Sequence, residues 1–204
     1  MTGPLLAWLA VHRPELVERA AAVLLPKDAV RAGLLPGTDG CVTDRTDASA
    51  TLLWDVPADT WSTAAARVAG VPAGLLPAVR PGEEVRGTAR LPVGETPVVV
   101  GGADTPLALL AAGTTTGVQV NLGSGAQLLR PVGRPEPAAD PVVHSFAAAG
   151  GGWYRMAALQ NAGTAWSWVR TVLGLDWPAL LGSCLLYTSP SPRDRTRSRM
   201  PSSA

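Results

Sequence analysis

Lysine is nearly missing from this chain. Of 17 basic residues among 204, only Lys27 is lysine. With abundant Ala, Gly and Pro, that arginine bias marks the codon usage of a GC-rich genome rather than a basic functional surface. Charge of either sign is scarce, at 16% of residues, and the formal net charge is +1. Such a balance argues against a nucleic-acid or membrane-surface partner. Cysteine is limited to Cys41 and Cys184. Two residues so far apart give no disulfide framework and no metal-ligand spacing, so a reducing, cytoplasmic setting is the expectation. No apolar run approaches the length of a membrane span. The start, MTGPLLAWLA, lacks the basic region and long apolar core of a signal peptide. What the chain does have is apolar content, 47% by residue. That is enough to bury a core in one domain or in parts of two.

Periodicity organises the first half. Leu5, Leu6, Trp8 and Leu9 form a short apolar stripe, and Leu16, Val17, Ala20, Ala21 and Leu24 recur at helical steps. Pro14 suits a first turn, Pro26 is expected to stop that helix, and Asp28 to help cap the next. Residues 50–56 read as a strand. A helix follows with Asp59, Thr60 or Ser62 as cap candidates and Gly70 and Pro72 at its end. The Pro- and Gly-rich stretch from Leu75 to Pro97 reads as loop, with a short strand near Val85. Pro97–Val100 reads as a buried strand, and Leu107–Ala112 as a helix closed by Gly113. Val118–Leu122 and Ala126–Leu129 read as a hairpin, with a second around Gly150–Gly152. The segment from Asn161 reads as a helix with Trp166, Val169, Val172 and Leu173 on one side. Most of the seven tryptophans are expected in the core.

Two motifs invite chemistry. In VVVGGADTP, residues 98–106, a β-branched run meets two glycines and then Asp104. Ligands of layered α/β folds bind beyond the carboxyl ends of strands, and a carboxylate there can accept a proton from a substrate hydroxyl. Capping is the competing role. Pro106 favours the first helical position, which assigns the cap to Thr105 and leaves Asp104 just outside. Both roles for Asp104 stay open on spacing alone. The second motif is the Gly123-Ser124-Gly125 turn, which can present N–H groups and a hydroxyl to an anion or serve as a plain hairpin turn. GGADTP lacks the GxGxxG spacing of a dinucleotide loop. His12 and His144 are lone histidines, read as surface or core residues. Asp44 and Asp47 read either as a carboxylate pair or as turn caps.

From Ser183 the composition changes to Ser, Pro and Arg without periodicity. Residues 183–204 read as a disordered, non-native-looking tail that resembles translated adapter or vector read-through.

Taken in order, LLPKDAVRAGLLPG, TDRTDASATLLWDV, LLPAVRPGEEVRG, PVVVGGADTPLALLAAG, VNLGSGAQLLRP and the segment from VVHSFAAAGGG to WVRTVLG resemble the FGGY carbohydrate kinases, and within them look most like the xylulokinases. The resemblance covers roughly residues 3–178. It implies an α/β, actin-like ATPase (RNase H-like) fold, present in part. Residues 1–100 are expected to be the later part of the first domain, and 101–182 its end and the start of the second. It implies ATP-dependent phosphorylation of a small-molecule sugar, D-xylulose going to D-xylulose 5-phosphate, with ATP and Mg²⁺ as the cofactors. Other FGGY substrates (ribulose, gluconate, glycerol, a deoxy sugar) and a non-catalytic actin-like sugar- or nucleotide-binding protein are the alternatives. On the resemblance Asp104 is the catalytic base and contacts the sugar. Thr105 stands where the xylulokinase pattern has Asn, and would contact the substrate. Gly123, Ser124 and Gly125 match the family's phosphate turn, Ser124 replacing its Thr. The family's Asp-x-Gly-Thr phosphate loop and its glycine-rich adenosine motif have no match here, so the chain reads as the middle of a kinase, inactive by itself.

Overall fold

The computed structural model describes residues 2–37, 41–136 and 142–185. Helices α1 (Thr2–His12), α2 (Pro14–Arg19) and α3 (Pro26–Leu34) open the chain. β1 (Val42–Asp44), α4 (Arg45–Ser49), β2 (Trp54–Asp55), β3 (Thr60–Trp61) and α5 (Thr63–Val68) follow. After a 3₁₀ turn at Ala73–Leu75 come β4 (Ala78–Arg80), β5 (Val85–Leu91), β6 (Gly94–Val99) and α6 (Asp104–Ala111). The rest comprises β7 (Gln119–Leu122), β8 (Ala126–Val132), β9 (His144–Ala147), β10 (Trp153–Leu159), α7 (Gly163–Leu173) and α8 (Trp177–Leu185). The chain divides into two compact units, one of residues 1–120 with 127–158, the other of 121–126 with the segment from Leu159 onward.

In the first unit β1 pairs parallel with β4, in the register Val42 to Ala78, Thr43 to Val79 and Asp44 to Arg80. Asp44 and Arg80 therefore sit opposite each other at the two carboxyl ends. β5 and β6 form an antiparallel hairpin with an irregularity between Val85 and Gly87. The remaining sheet has the order β7-β8-β10-β9. One apolar cluster joins Leu6, Leu53, Ala69 and Val71. Another joins Leu109, Leu129, Phe146 and Tyr154, the last two rings stacked at 5.6 Å between centroids. These two clusters hold the helices against the strands by removing apolar area from water.

Several local expectations give way. The helix beginning at Pro14 ends at Arg19, and residues 20–25 are not helical. Pro26 does not stop a helix but starts one, at a position where its missing N–H has no intrahelical partner to lose. Asp28 is not a cap. It is fully buried against cations, as described below. Residues 50–56 contribute only the two-residue strand β2. Pro97–Val100 is not buried throughout, because β6 is half of a two-stranded hairpin: Val99 is exposed and only Val100 is buried. Ser62 does cap α5, accepting from Ala65 N–H at 3.2 Å. Most of the tryptophans are not core residues, and none is fully buried. Trp8, Trp166, Trp168 and Trp177 are exposed and the other three half-buried, Trp61 against the first apolar cluster and Trp153 under Arg45. The tail read from Ser183 lies outside the described residues from 186 on, and its first three residues continue α8.

Candidate active site

Asp104 opens α6. The helix N-cap is Ala103, so Asp104 is the first helical residue, Thr105 the second and Pro106 the third. The expected cap at Thr105 is thus displaced by two residues. Pro106 tolerates this because the third N–H of a helix also lacks an intrahelical acceptor. Asp104 is exposed, and its Oδ1 accepts from Thr105 N–H at 2.6 Å and from the Thr105 hydroxyl at 3.2 Å. No described residue donates to Oδ2. Its charge suits the positive end of the helix dipole. Tyr154, buried in the adjacent apolar cluster, has its phenol held far above the usual range, first by desolvation and then by the charge of Asp104.

The segment before Asp104 is tied at successive residues. Val100 N–H donates to Glu84 O at 3.0 Å, Gly101 N–H to Gly82 O at 2.8 Å, and Ala103 N–H to the Thr46 hydroxyl at 2.8 Å. Gly101 has φ +84°, the left-handed region that side chains resist, and a Cβ on Gly82 would meet Gly101 O at 2.7 Å. The Val100 carbonyl accepts from both Lys27 Nζ (3.1 Å) and Arg31 Nη1 (2.9 Å) of α3, one turn apart on one helix face.

Those two cations meet three carboxylates. Lys27 Nζ lies 2.6 Å from Asp28, 3.2 Å from Asp44 and 3.4 Å from Asp47. Arg31 pairs with Asp28 at 2.8 Å and also donates to Val42 O. Burial opposes the charge on Lys27, but the hydrogen bond to Asp28 and the fields of Asp28, Asp44 and Asp47 outweigh it and hold its pKa above normal. Asp47 is pushed up, first by burial, with Lys27 opposing and Asp44 adding to the rise. Of the two readings of TDRTDAS, capping holds for Asp44, which accepts from Thr46 N–H at 2.7 Å at the start of α4. Asp47 belongs to the ion cluster.

A cavity of about 710 Å³ opens beside this segment, at the carboxyl ends of β1 and β4. Gly101, Gly102 and Leu107 line it on one side, Thr46 and Arg80 on another, and Gly150 and Gly151 on a third. Arg45 also faces it. Its guanidinium pairs with Asp59 at 2.7 Å, donates to Gly152 O, and lies 4.1 Å from the centre of the Trp153 ring. Lys27, Arg31, Thr46 and Tyr154 were not singled out by sequence reasoning. The four-residue spacing of Lys27 and Arg31 beside TDRTDAS was the available signal.

In the second unit the Gly123-Ser124-Gly125 turn is packed on the start of α7. Gly163 N–H donates to Gly123 O at 3.0 Å, and Ala162 N–H and the Thr164 hydroxyl donate to Ser124 O. A Cβ on Gly163 would meet Gly123 O at 2.5 Å, and one on Gly125 would meet Leu159 O at 2.6 Å. The Ser124 side chain itself is exposed. His12 stacks on Trp8 and His144 is exposed, both away from the cavity lining.

A family model described as "FGGY family of carbohydrate kinases, N-terminal domain" matches residues 1–111. The chain belongs to the FGGY carbohydrate kinases. The xylulose kinase of Streptomyces coelicolor is 39% identical over 184 residues, covering 85% of this chain and 37% of that protein. The autoinducer-2 kinase of Salmonella typhimurium is 30% identical over 145 residues, covering 68% of this chain and 27% of that protein. The solved xylulose kinase of Bifidobacterium adolescentis superposes with a TM-score of 0.70 at 25% identity, covering 86% of this chain and 41% of that one. The chain thus spans about two fifths of the length of the xylulose kinases it matches. Its fold is part of the α/β, actin-like ATPase fold of FGGY kinases. Among the described residues no helix is long and apolar enough to cross a membrane.

Proposed function

We propose that this chain supplies part of an ATP-dependent sugar kinase that phosphorylates D-xylulose, with Asp104 as its general base. The observation that carries the reading is the carboxylate at the start of α6. One oxygen is held by Thr105, the other lacks a donor among the described residues, and the preceding glycines line a cavity at the carboxyl ends of two parallel strands. In the reaction the sugar hydroxyl oxygen bonds to the γ-phosphorus of ATP as the bond to the β–γ bridging oxygen breaks. ADP leaves, and the hydroxyl proton passes to Asp104. Thr105, with its hydroxyl turned onto Asp104, orients that carboxylate and offers the sugar its remaining lone pairs.

Gly123, Ser124 and Gly125 are the proposed phosphate turn. An exposed hydroxyl between two glycines fits phosphate oxygens. Mg²⁺ would accompany the ATP phosphates, where it neutralises their charge. Residues 1–100 are assigned to the later part of the first kinase domain, and 101–182 to its end and the beginning of the second. Spanning two fifths of its relatives, the chain alone is expected not to turn over, and a cytoplasmic setting accompanies this reading.

The test is Asp104→Asn in the kinase that carries this chain, with ADP release followed in a coupled assay. Turnover is expected to fall by about 10²–10⁴-fold with sugar binding retained. Unchanged turnover would remove Asp104 from the role of base. The similarity to autoinducer-2 kinase favours one second reading, a different phosphorylated substrate on the same residues. A panel of ketoses and hydroxyketones ranked by kcat/KM decides between them.

A further inference from the structure

Asp44 has two carboxylate oxygens, and each reaches a different end of the Gly101–Gly102 segment. Oδ2 accepts from the Thr46 hydroxyl at 2.5 Å. An amide can only donate, so the bond from Ala103 N–H to the Thr46 oxygen fixes the direction of the chain: Ala103 donates to Thr46, and Thr46 donates to Asp44. A donor that is itself hydrogen-bonded to a carboxylate is a stronger acceptor, so the charge on Asp44 tightens the hold on Ala103. Oδ1 lies 3.2 Å from Lys27 Nζ, an ion pair without hydrogen-bond direction. Lys27 in turn donates to Val100 O. Both ends of the diglycine are therefore referred to one buried side chain. Asp44 and Thr46 are 3% and 5% exposed, so little water competes. Space is tight as well, for a Cβ on Gly102 would lie 3.3 Å from the Thr46 hydroxyl oxygen. Ala103 is the N-cap of α6, and Asp104 is the next residue.

We propose that Asp44 and Thr46 are positioning residues for the Asp104 carboxylate, fixing where α6 begins and hence where the base stands. The proposal rests on the reading of Asp104 as base. Both line the cavity, but neither is assigned a bond or a proton in the transfer. Their effect is on the geometry of attack, where a displacement of about 1 Å costs on the order of 10²-fold in rate.

The experiment compares Thr46→Val, which keeps shape and loses the hydroxyl, with Thr46→Ser, which restores it. Both are made in the kinase that carries this chain, with Asp104→Asn as reference. Thr46→Val is expected to lower kcat by about 10- to 100-fold with KM for the sugar within about threefold, and Thr46→Ser to recover most of that loss. Amide exchange at Ala103, measured on the 204-residue chain, should lose protection in Thr46→Val and keep it in Thr46→Ser. Thr46→Ala replaces Thr46→Val if the latter does not fold. A fall in melting temperature with kcat per folded molecule unchanged, or a loss that serine does not recover, would overturn the positioning role while an inactive Asp104→Asn leaves the base in place. An active Asp104→Asn would overturn both.

Discussion

Two loops are fixed in this molecule with different shares of side chain and backbone. The segment 100–103 donates backbone bonds to Glu84 and Gly82 and is further held from the side by charged and hydroxyl side chains: Lys27, Arg31 and Thr46, anchored on Asp28 and Asp44. The turn 123–125 is held mainly by backbone, with the Thr164 hydroxyl also donating to Ser124 O. Carbonyls and N–H groups of residues 123–125 and 159–164 approach so closely that a single methyl group would collide. Both have glycines where a Cβ would collide, but only the first adds ionised, desolvated side chains to its backbone contacts. Loops built in these two ways should fail under different perturbations.

The largest effect is expected at Asp28, fully buried between two cations. Asp28→Ala leaves Arg31 and Lys27 short of their partner and should cost about 3–5 kcal/mol in denaturant unfolding. A loss under about 1 kcal/mol would mean that the ion cluster is not what holds the first loop. Gly163→Ala or Gly125→Ala should cost about 1–3 kcal/mol, and this loss should be the same at low and high salt. A salt-dependent loss would break the distinction.

A titration separates the loops further. The folded pKa of Lys27 lies above its ordinary 10.5, so the stability it contributes is complete below pH 10.5 and disappears as pH rises through the folded value. For Asp47 the raised pKa has the opposite merit. The folded state holds the proton more tightly, so its contribution falls as pH rises from 3.8, and Asp47→Asn should not destabilise the fold near neutral pH through that linkage. Melting temperature against pH, in wild type, Lys27→Met and Asp47→Asn, reads both. Smallest is Ser124→Ala, expected to change stability by within about 0.5 kcal/mol while weakening ATP binding, measured by calorimetry in the kinase that carries this chain.

The diglycine before an aspartate was legible because strand, glycine pair and helix start each leave a local mark. So were the turns at 123–125 and 150–152 and the Ser62 cap, whereas the β5–β6 hairpin lay hidden in a Pro- and Gly-rich stretch that reads as loop. The helix start was misplaced by two residues, because Pro106 suits the third position as readily as the first and only Thr46, remote in sequence, selects between them. Asp28 looked like a cap because capping is what an isolated Asp after Pro does. Its burial follows from the pairing with Arg31 and Lys27, whose four-residue spacing marks a shared helix face but not that the face is covered. The tryptophans were misjudged for a similar reason, since hydrophobic size predicts burial only where a neighbouring layer exists to supply it.

Lys27 draws together the oxygens of Asp28, Asp44, Asp47 and Val100. An ammonium can serve such a convergence because it is a compact centre with three rotatable donors, whereas a guanidinium is a flat fork that commits its donors to one plane. A chain that drifted to arginine at every other basic position thus has its lone lysine at a place where the exchange would be geometrically poor. The same solitude makes it a chemical handle. An amine-acylating reagent has one side chain to find here, and its rate of reaction would report how firmly the ammonium is gripped.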